Sequence, residues 1–171
     1  SVPRALVLDA FPDAMAALPR LLKNPLDKAA QSSLVHAAFI SGVSLGNSGL
    51  GLAHGVAAAI GVECGASHGL ACAALLPVAL RVNQKIAEND LARLNQLLGG
   101  EVLPVSDGAQ QFVERVIELC RLAGTPTRLS EFGLKRNRIP WVAEHSGGNS
   151  MRGNPVQLSL TELVQQLESV F

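Results

Sequence analysis

Small and apolar residues recur at helical spacing along almost the whole chain, and no segment alternates polar and apolar residues as a strand does. Hydrophobic residues make up 48% of the 171 residues, whereas aromatic residues account for only 4%. Much of the hydrophobic content is alanine and leucine, which favour helices, while strands favour aromatic and β-branched residues. The sequence therefore predicts a single all-α domain over residues 1–171, built as a bundle of about seven helices.

Glycine and proline set the predicted helix boundaries. We expect a short first helix that begins near Asp9, carries Pro12 in its first turn and is kinked or split at Pro19. The helix that contains the sequence GLAHGVAAAIG should end at Gly61. Pro77 should break or bend the apolar helix that follows.

Charge and cysteine content exclude several classes of protein. The formal net charge is zero and charged residues make up 16% of the chain, without a basic block, so neither nucleic acid nor a membrane is an expected partner. No stretch reaches the roughly 18 apolar residues of a membrane span, and the N-terminal residues do not form a signal peptide. The three cysteines, Cys64, Cys72 and Cys120, cannot all pair, which predicts reduced thiols in a cytoplasmic protein.

Two of the four histidines, His54 and His68, lie in the small, apolar stretch of residues 49–69. Neutral imidazole is a common ligand of zinc and iron. A turn with glycines at residues 61–67 would let two helices fold against each other, so that the two rings converge. Spacing alone is weak support, because a histidine in an apolar helix is more often a core residue with satisfied hydrogen bonds.

A rival zinc site uses Cys64, His68 and Cys72, which follow one another at steps of four residues. This set lacks a fourth ligand, and Cys72 lies in an apolar stretch, where free cysteine usually packs as a small hydrophobic residue. The other histidines have structural interpretations. We expect His36 to pack in the core or at an interface, and His145 to lie at the C-terminal end of a short helix.

Four segments of the sequence carry a family resemblance. The segments GLGLAHG, SHGLACAALLP and RVN resemble the signature of the iron-containing (group III) alcohol dehydrogenases, and GGNSMRGNPVQLSLTELVQQL resembles the closing segment of that family. The resemblance covers nearly the whole chain. It implies a dehydroquinate synthase-like C-terminal α domain in which His54 and His68 are ligands of Fe²⁺ or Zn²⁺.

The same resemblance implies partners that this chain does not contain. Family enzymes hold NAD or NADP in an N-terminal dinucleotide-binding domain, and the segment GNSGLG is not such a loop because it joins two predicted helices. The family's remaining ligands, an aspartate and a histidine one turn apart, belong to an earlier helix, and neither Asp9 nor Asp13 matches that pattern. The metal site of this chain is therefore expected to be incomplete and to bind metal weakly by itself, and no catalytic or cofactor-binding residue is assigned in this chain.

The resemblance leaves the function of the chain as an expectation with one alternative. We expect an oxidoreductase acting on an alcohol or aldehyde, or on a maleylacetate reductase-like substrate, with a chain that is inactive by itself and forms a homo-oligomer through exposed apolar surface. Ala58 stands where many family members have a further histidine, which leaves the substrate open. The alternative is a non-catalytic helical domain or interaction module that keeps the scaffold without the chemistry.

Overall fold

The computed structural model describes residues 2–171, and every regular element in that range is helical. The all-α prediction is confirmed. The helices are more numerous than the seven expected, because short ones such as the four-residue α8 are too brief to leave a periodic pattern. The α-helices are α1 (Val2–Lys23), α2 (Lys28–Ser48), α3 (Leu52–Cys64), α4 (His68–Asn83), α5 (Glu88–Leu97), α6 (Val105–Leu122), α7 (Ile139–His145), α8 (Asn149–Arg152) and α9 (Leu160–Glu168).

Two short 3₁₀ helices, Leu129–Phe132 and Arg136–Arg138, lie between α6 and α7.

Within residues 2–171, no single helix is both long enough and apolar enough to cross a membrane, although α2 and α3 taken together reach that length and composition. The described chain divides into two compact units, one containing residues up to 49 together with 88–115, and the other containing residues 50–87 and 116–171.

The first unit is organised around α1 and α2, which pack against each other. The sequence prediction for α1 was wrong at both prolines, because the helix begins at Val2 and runs unbroken through Pro12 and Pro19. Each proline removes one backbone hydrogen bond. Burial of Ala10 and Ala17, which share one face of α1, contributes the packing that most helices in proteins depend on.

The second unit has its core around α3, whose residues are buried at six of thirteen positions. Helix α3 packs against α4, α7 and α8, and α7 packs against α9. The largest completely buried side chains of this core are those of Leu52, Ile60, Leu75, Ile139 and Leu167.

Helix α3 continues beyond its predicted end. Gly61 lies inside the helix, and its carbonyl accepts the backbone N–H of Gly65 at 3.0 Å. The helix ends at Gly65 because that residue has a φ of 66°, in the left-handed region that glycine adopts without steric cost.

Helix α4 also runs through its proline, contrary to the predicted break. Pro77 has no N–H to donate to the carbonyl of Ala73, four residues earlier. The Cys120 Sγ lies 3.8 Å from that carbonyl oxygen and donates a weak hydrogen bond to it. A side chain from α6 thus compensates part of the bond that the proline removes.

Gly55 is the position where α3 depends most directly on having no side chain. A Cβ there would lie 2.8 Å from the Ser146 carbonyl oxygen, whereas a Cβ at Gly61 would meet its nearest neighbour at 3.6 Å. We expect Gly55→Ala to destabilise the fold by about 1–3 kcal/mol through steric conflict. Gly61→Ala is the matched control and should stabilise it by up to about 1 kcal/mol through helix propensity. Urea unfolding followed by circular dichroism measures both, and equal effects of the two substitutions would contradict this account.

Candidate metal centre

His54 lies in the first turn of α3 and is half-buried, whereas His68 is the first residue of α4 and is exposed. Their ring centroids are 5.4 Å apart, with the ring planes inclined at 60°. The structure therefore brings together the two histidines that the sequence singled out, each from the N-terminal turn of a different helix.

Cys72 joins this pair from the next turn of α4. Its Sγ lies 3.5 Å from Nε2 of His68. One ligand atom from each of His54, His68 and Cys72 lies within 4.8 Å of the others. In the part of the chain that the structure describes, no group of three potential ligands includes Cys64. The structure thus assembles neither the histidine pair alone nor the rival set of Cys64, His68 and Cys72, but the two histidines with one cysteine.

The surroundings of the cluster favour neutral side chains. Burial lowers the pKa of His54, and the nearby His68 lowers it further. Burial also raises the pKa of the Cys72 thiol. A neutral imidazole has the free nitrogen lone pair that a metal ion needs. The lowered pKa of His54 thus favours the form of imidazole that can bind a cation, whereas the raised pKa of Cys72 keeps that side chain a neutral thiol.

Two asparagines fix the N-terminal end of α3 near this cluster. The Asn154 Oδ1 accepts the backbone N–H of Leu52 at 3.1 Å and the Asn83 Nδ2–H at 2.9 Å. In return, the Asn154 Nδ2 donates to the Asn83 Oδ1 at 3.0 Å and to the Val156 carbonyl at 2.7 Å. This asparagine pair therefore ties Leu52, the first residue of α3, to the last residue of α4. Leu52 precedes His54 by two residues.

An ion pair holds the C-terminal part of α3. Arg138 donates two hydrogen bonds of 2.7 Å to the Glu63 carboxylate, one to each oxygen. The Arg138 guanidinium also lies over the ring of Trp141, 4.9 Å from its centroid. Trp141 is partly buried against the core of the second unit, so the loop-rich C-terminal segment is anchored there.

The structure also tests what the sequence predicted for the other two histidines, His36 and His145. His145 is the last residue of α7, as expected; its Nδ1–H donates to the Trp141 carbonyl at 2.8 Å and its ring stacks on Trp141 at 4.0 Å. His36 is exposed on α2, so it does not pack in the core, and the alternative expectation of packing at an interface stays a prediction. Ala58 is exposed on α3, one turn beyond His54.

These observations define an all-α domain with a candidate metal centre between two helices. The model of the Fe-containing alcohol dehydrogenase family, C-terminal, matches residues 5–171. The chain belongs to this family and corresponds to its C-terminal domain.

Known relatives agree with this assignment. Lactaldehyde reductase from Escherichia coli is 29% identical over 142 residues, which cover 81% of this chain and 37% of that protein. Maleylacetate reductase 1 from Cupriavidus pinatubonensis is 29% identical over 128 residues, covering 75% of this chain and 34% of that protein. A crystal structure of a 1,3-propanediol oxidoreductase superposes with a TM-score of 0.94 at 24% identity, covering all of this chain and 46% of its own. The chain therefore spans less than half the length of these relatives.

Removal of the Asn154 side chain tests the asparagine pair. We expect Asn154→Ala to cost at least about 2 kcal/mol, because it leaves the Leu52 N–H and the Asn83 amide without their partner. Asn47→Ala is the control, since the Asn47 amide is exposed and donates only to a carbonyl of its own helix; its effect should stay within about 0.5 kcal/mol. Thermal and urea unfolding give both values. A loss for Asn154→Ala no larger than that for Asn47→Ala would show that the pair is dispensable.

The ion pair predicts a pH dependence of stability. The hydrogen bonds from Arg138 lower the pKa of Glu63. The folded state thus favours the ionised carboxylate of Glu63. The ion pair adds its full contribution to the free energy of unfolding above the ordinary glutamate pKa of about 4.3, and this contribution is lost as the pH falls through the lowered pKa of the folded state. The melting-temperature difference between wild type and Glu63→Gln should be largest near neutral pH and shrink in acid. Glu144→Gln, which removes an exposed carboxylate, should show no such trend. A difference that is constant with pH would contradict the prediction.

Proposed function

We propose that this chain is the metal-binding domain of an NAD(P)-linked oxidoreductase that acts on an alcohol or aldehyde. The observation that carries the proposal is the convergence of His54 and His68, at a centroid distance of 5.4 Å, in a chain of this family. The relatives support the substrate class, because they include reductases of lactaldehyde and maleylacetate and dehydrogenases of 1,3-propanediol.

The residues of the cluster fit a divalent metal ion. Imidazole nitrogen is a ligand for both Zn²⁺ and Fe²⁺, and burial lowers the pKa of His54, which favours the neutral form that binds them. In this proposal His54 and His68 hold the ion. When bound, such an ion supplies a Lewis acid for the substrate oxygen as a hydride passes to or from the nicotinamide.

The residue one turn beyond His54 on α3 is the exposed Ala58. Ala58 offers no group that could carry a proton, so any proton transfer must use a group other than the side chain at this position. In this proposal α3 contributes a metal ligand, and the side chain at position 58 contributes no acid or base.

The nicotinamide belongs to another part of the enzyme in this proposal. Dinucleotide-binding loops join a strand to a helix, whereas residues 49–51 join α2 to α3. The relatives include an NADPH-dependent butanol dehydrogenase and an NAD-dependent methanol dehydrogenase, so both forms of the cofactor occur among them. We propose that an N-terminal dinucleotide-binding domain, as the family resemblance implies, is the partner of this one.

Metal retention tests the proposed site. The purified 171-residue chain is freed of metal with a chelator, incubated with Zn²⁺ or Fe²⁺ under reducing conditions, desalted and analysed for bound metal. We expect His54→Ala and His68→Ala to reduce retention by at least tenfold, because each removes a ligand from the centre. His36→Ala is the matched control, since it removes an exposed histidine from α2. Retention that is equal in all variants would exclude this centre and favour the non-catalytic helical domain as the function.

Turnover tests the proposed division of labour. We expect the 171-residue chain with bound metal to reduce neither NAD⁺ nor NADP⁺ in the presence of alcohols, because no group here would hold the nicotinamide near the metal. Cofactor reduction above background that disappears in His54→Ala would contradict this expectation. It would then assign cofactor binding, as well as metal binding, to this chain.

A further inference from the structure

We propose that α2 pairs with the α2 of a second copy of this chain, so that two copies form a symmetric, antiparallel dimer. The inference goes beyond the proposed function, because α2 belongs to the first unit and holds no part of the candidate metal centre. It specifies the surface of the homo-oligomer that the sequence led us to expect. That surface is an exposed stripe of α2, formed by Lys28, Ser32, Val35, Phe39, Gly42 and Gly46.

The stripe lies on the exposed side of α2. The helix packs against α1, and its two buried residues are Ala30 and Ile40. Because a helix has 3.6 residues per turn, the stripe lies on the opposite side of α2 from these two residues. Within the stripe, Val35 is 70% exposed and Phe39 is 67% exposed. Two large apolar side chains thus project from a helix face that no element of the described chain covers, and such surface is typical of an interaction site.

The spacing of the stripe is that of a coiled coil. Its six residues follow one another at alternating steps of four and three, which keeps them on one side of the helix over several turns. In a coiled coil, each side chain on such a stripe enters a hole between side chains of the facing helix. The spacing therefore indicates a helix as the partner of this surface.

The order of large and small residues along the stripe is complementary to itself. In an antiparallel pair whose twofold axis passes midway between residues 40 and 41, Phe39 of one copy lies opposite Gly42 of the other. The same axis places Val35 opposite Gly46. A Cβ added at either glycine would meet nothing within 4 Å, so each glycine leaves an open hole for the larger side chain. A twofold interface requires this reciprocity, in which the same patch fits itself. A second copy of the chain therefore supplies the helix that the stripe fits.

Charge favours the antiparallel arrangement. Helix α2 contains one lysine, Lys28, at its N-terminal end, and no arginine, aspartate or glutamate. A parallel pair would bring the two Lys28 side chains together. An antiparallel pair instead places each Lys28 towards the C-terminal end of the facing helix, where the helix dipole is negative and the last turn has no basic side chain. The middle of the stripe has no charge that would lose its water on pairing.

The size of the surface sets the expected strength of the dimer. The 21 residues of α2 span about 31 Å at a rise of about 1.5 Å per residue. A contact about 10 Å wide along this length buries roughly 600 Å² over both copies, which is less than the roughly 1,200 Å² of stable protein complexes. We therefore expect a weak dimer, with a dissociation constant on the order of 100 µM.

Sedimentation equilibrium of the reduced 171-residue chain, without added metal, tests the dimer. Between about 10 µM and about 1 mM, we expect the average mass to rise from that of the 17.9 kDa monomer towards twice that value. Phe39→Lys should raise the dissociation constant at least about tenfold, because it removes the central apolar contact and adds a charge. Val62→Lys is the matched control, since Val62 is 78% exposed but belongs to the second unit, and it should leave the dissociation constant unchanged. Circular dichroism verifies that each variant is helical.

Gly42→Leu separates fitted packing from unspecific association of apolar surfaces. The substitution adds apolar surface and favours the helix, yet it fills the hole opposite Phe39, so we expect a weaker dimer. Adding Phe39→Ala to Gly42→Leu should restore pairing, because the large and small residues then exchange places. Stronger association of Gly42→Leu, or equal effects of Phe39→Lys and Val62→Lys, would overturn the proposal.

Cross-linking tests the antiparallel order. Oxidation of the double variant Val35→Cys and Gly46→Cys should give a disulfide-linked dimer above the level of the wild type, because these positions face each other. Each single variant should not, since identical positions then lie about 16 Å apart along the pair, too far for a disulfide. Cross-linked single variants would indicate a parallel pair and overturn the arrangement. A chain that stays monomeric up to about 1 mM would overturn the dimer and leave the stripe to another domain or protein.

Discussion

The reciprocal amide pair of Asn83 and Asn154 is the interaction on which the geometry of the second unit depends. It joins the first residue of α3 to the last residue of α4 and to the segment that leads into α9. Each amide both donates and accepts, so the pair is satisfied in only one arrangement of these three segments. Because Leu52 is completely buried and precedes His54 by two residues, that arrangement also fixes where the imidazole of His54 projects.

The sequence predicted the helices far better than their ends. Alanine and leucine periodicity is a local property, and it correctly indicated an all-α fold. Pro12 was expected in the first turn of a helix, and Pro19 and Pro77 were expected to bend or break helices, yet all three lie in the interior of a helix. What sustains those helices is non-local: burial of α1 against α2, and for Pro77 a thiol of α6 near the carbonyl that lost its partner. Sequence periodicity contains no information about such contacts.

The candidate site was predicted only in part, because sequence spacing reports residues within one helix and not contacts between helices. The resemblance singled out His54 and His68, and the structure brings their rings together. Cys72 was also noticed, but grouped with Cys64, because steps of four residues suggest a shared helix face. That reasoning holds only within one helix, and Gly65 ends α3 between Cys64 and His68. The step from His68 to Cys72, which lies wholly within α4, was the informative part of the pattern.

The cluster draws its donors from two helices of unequal burial. His54 belongs to α3, the most buried helix of the second unit, whereas His68 and Cys72 belong to the first turns of α4, where residues 68–70 are exposed. In the proposed function, an ion held by His54 and His68 would connect the exposed start of α4 to the core. Since such an ion binds the folded state and not a dispersed set of ligands, its binding free energy adds to the stability of the fold. The two histidines of the proposed site would then serve two purposes, holding a metal for chemistry and fixing the one end of α4 that the asparagine pair does not reach.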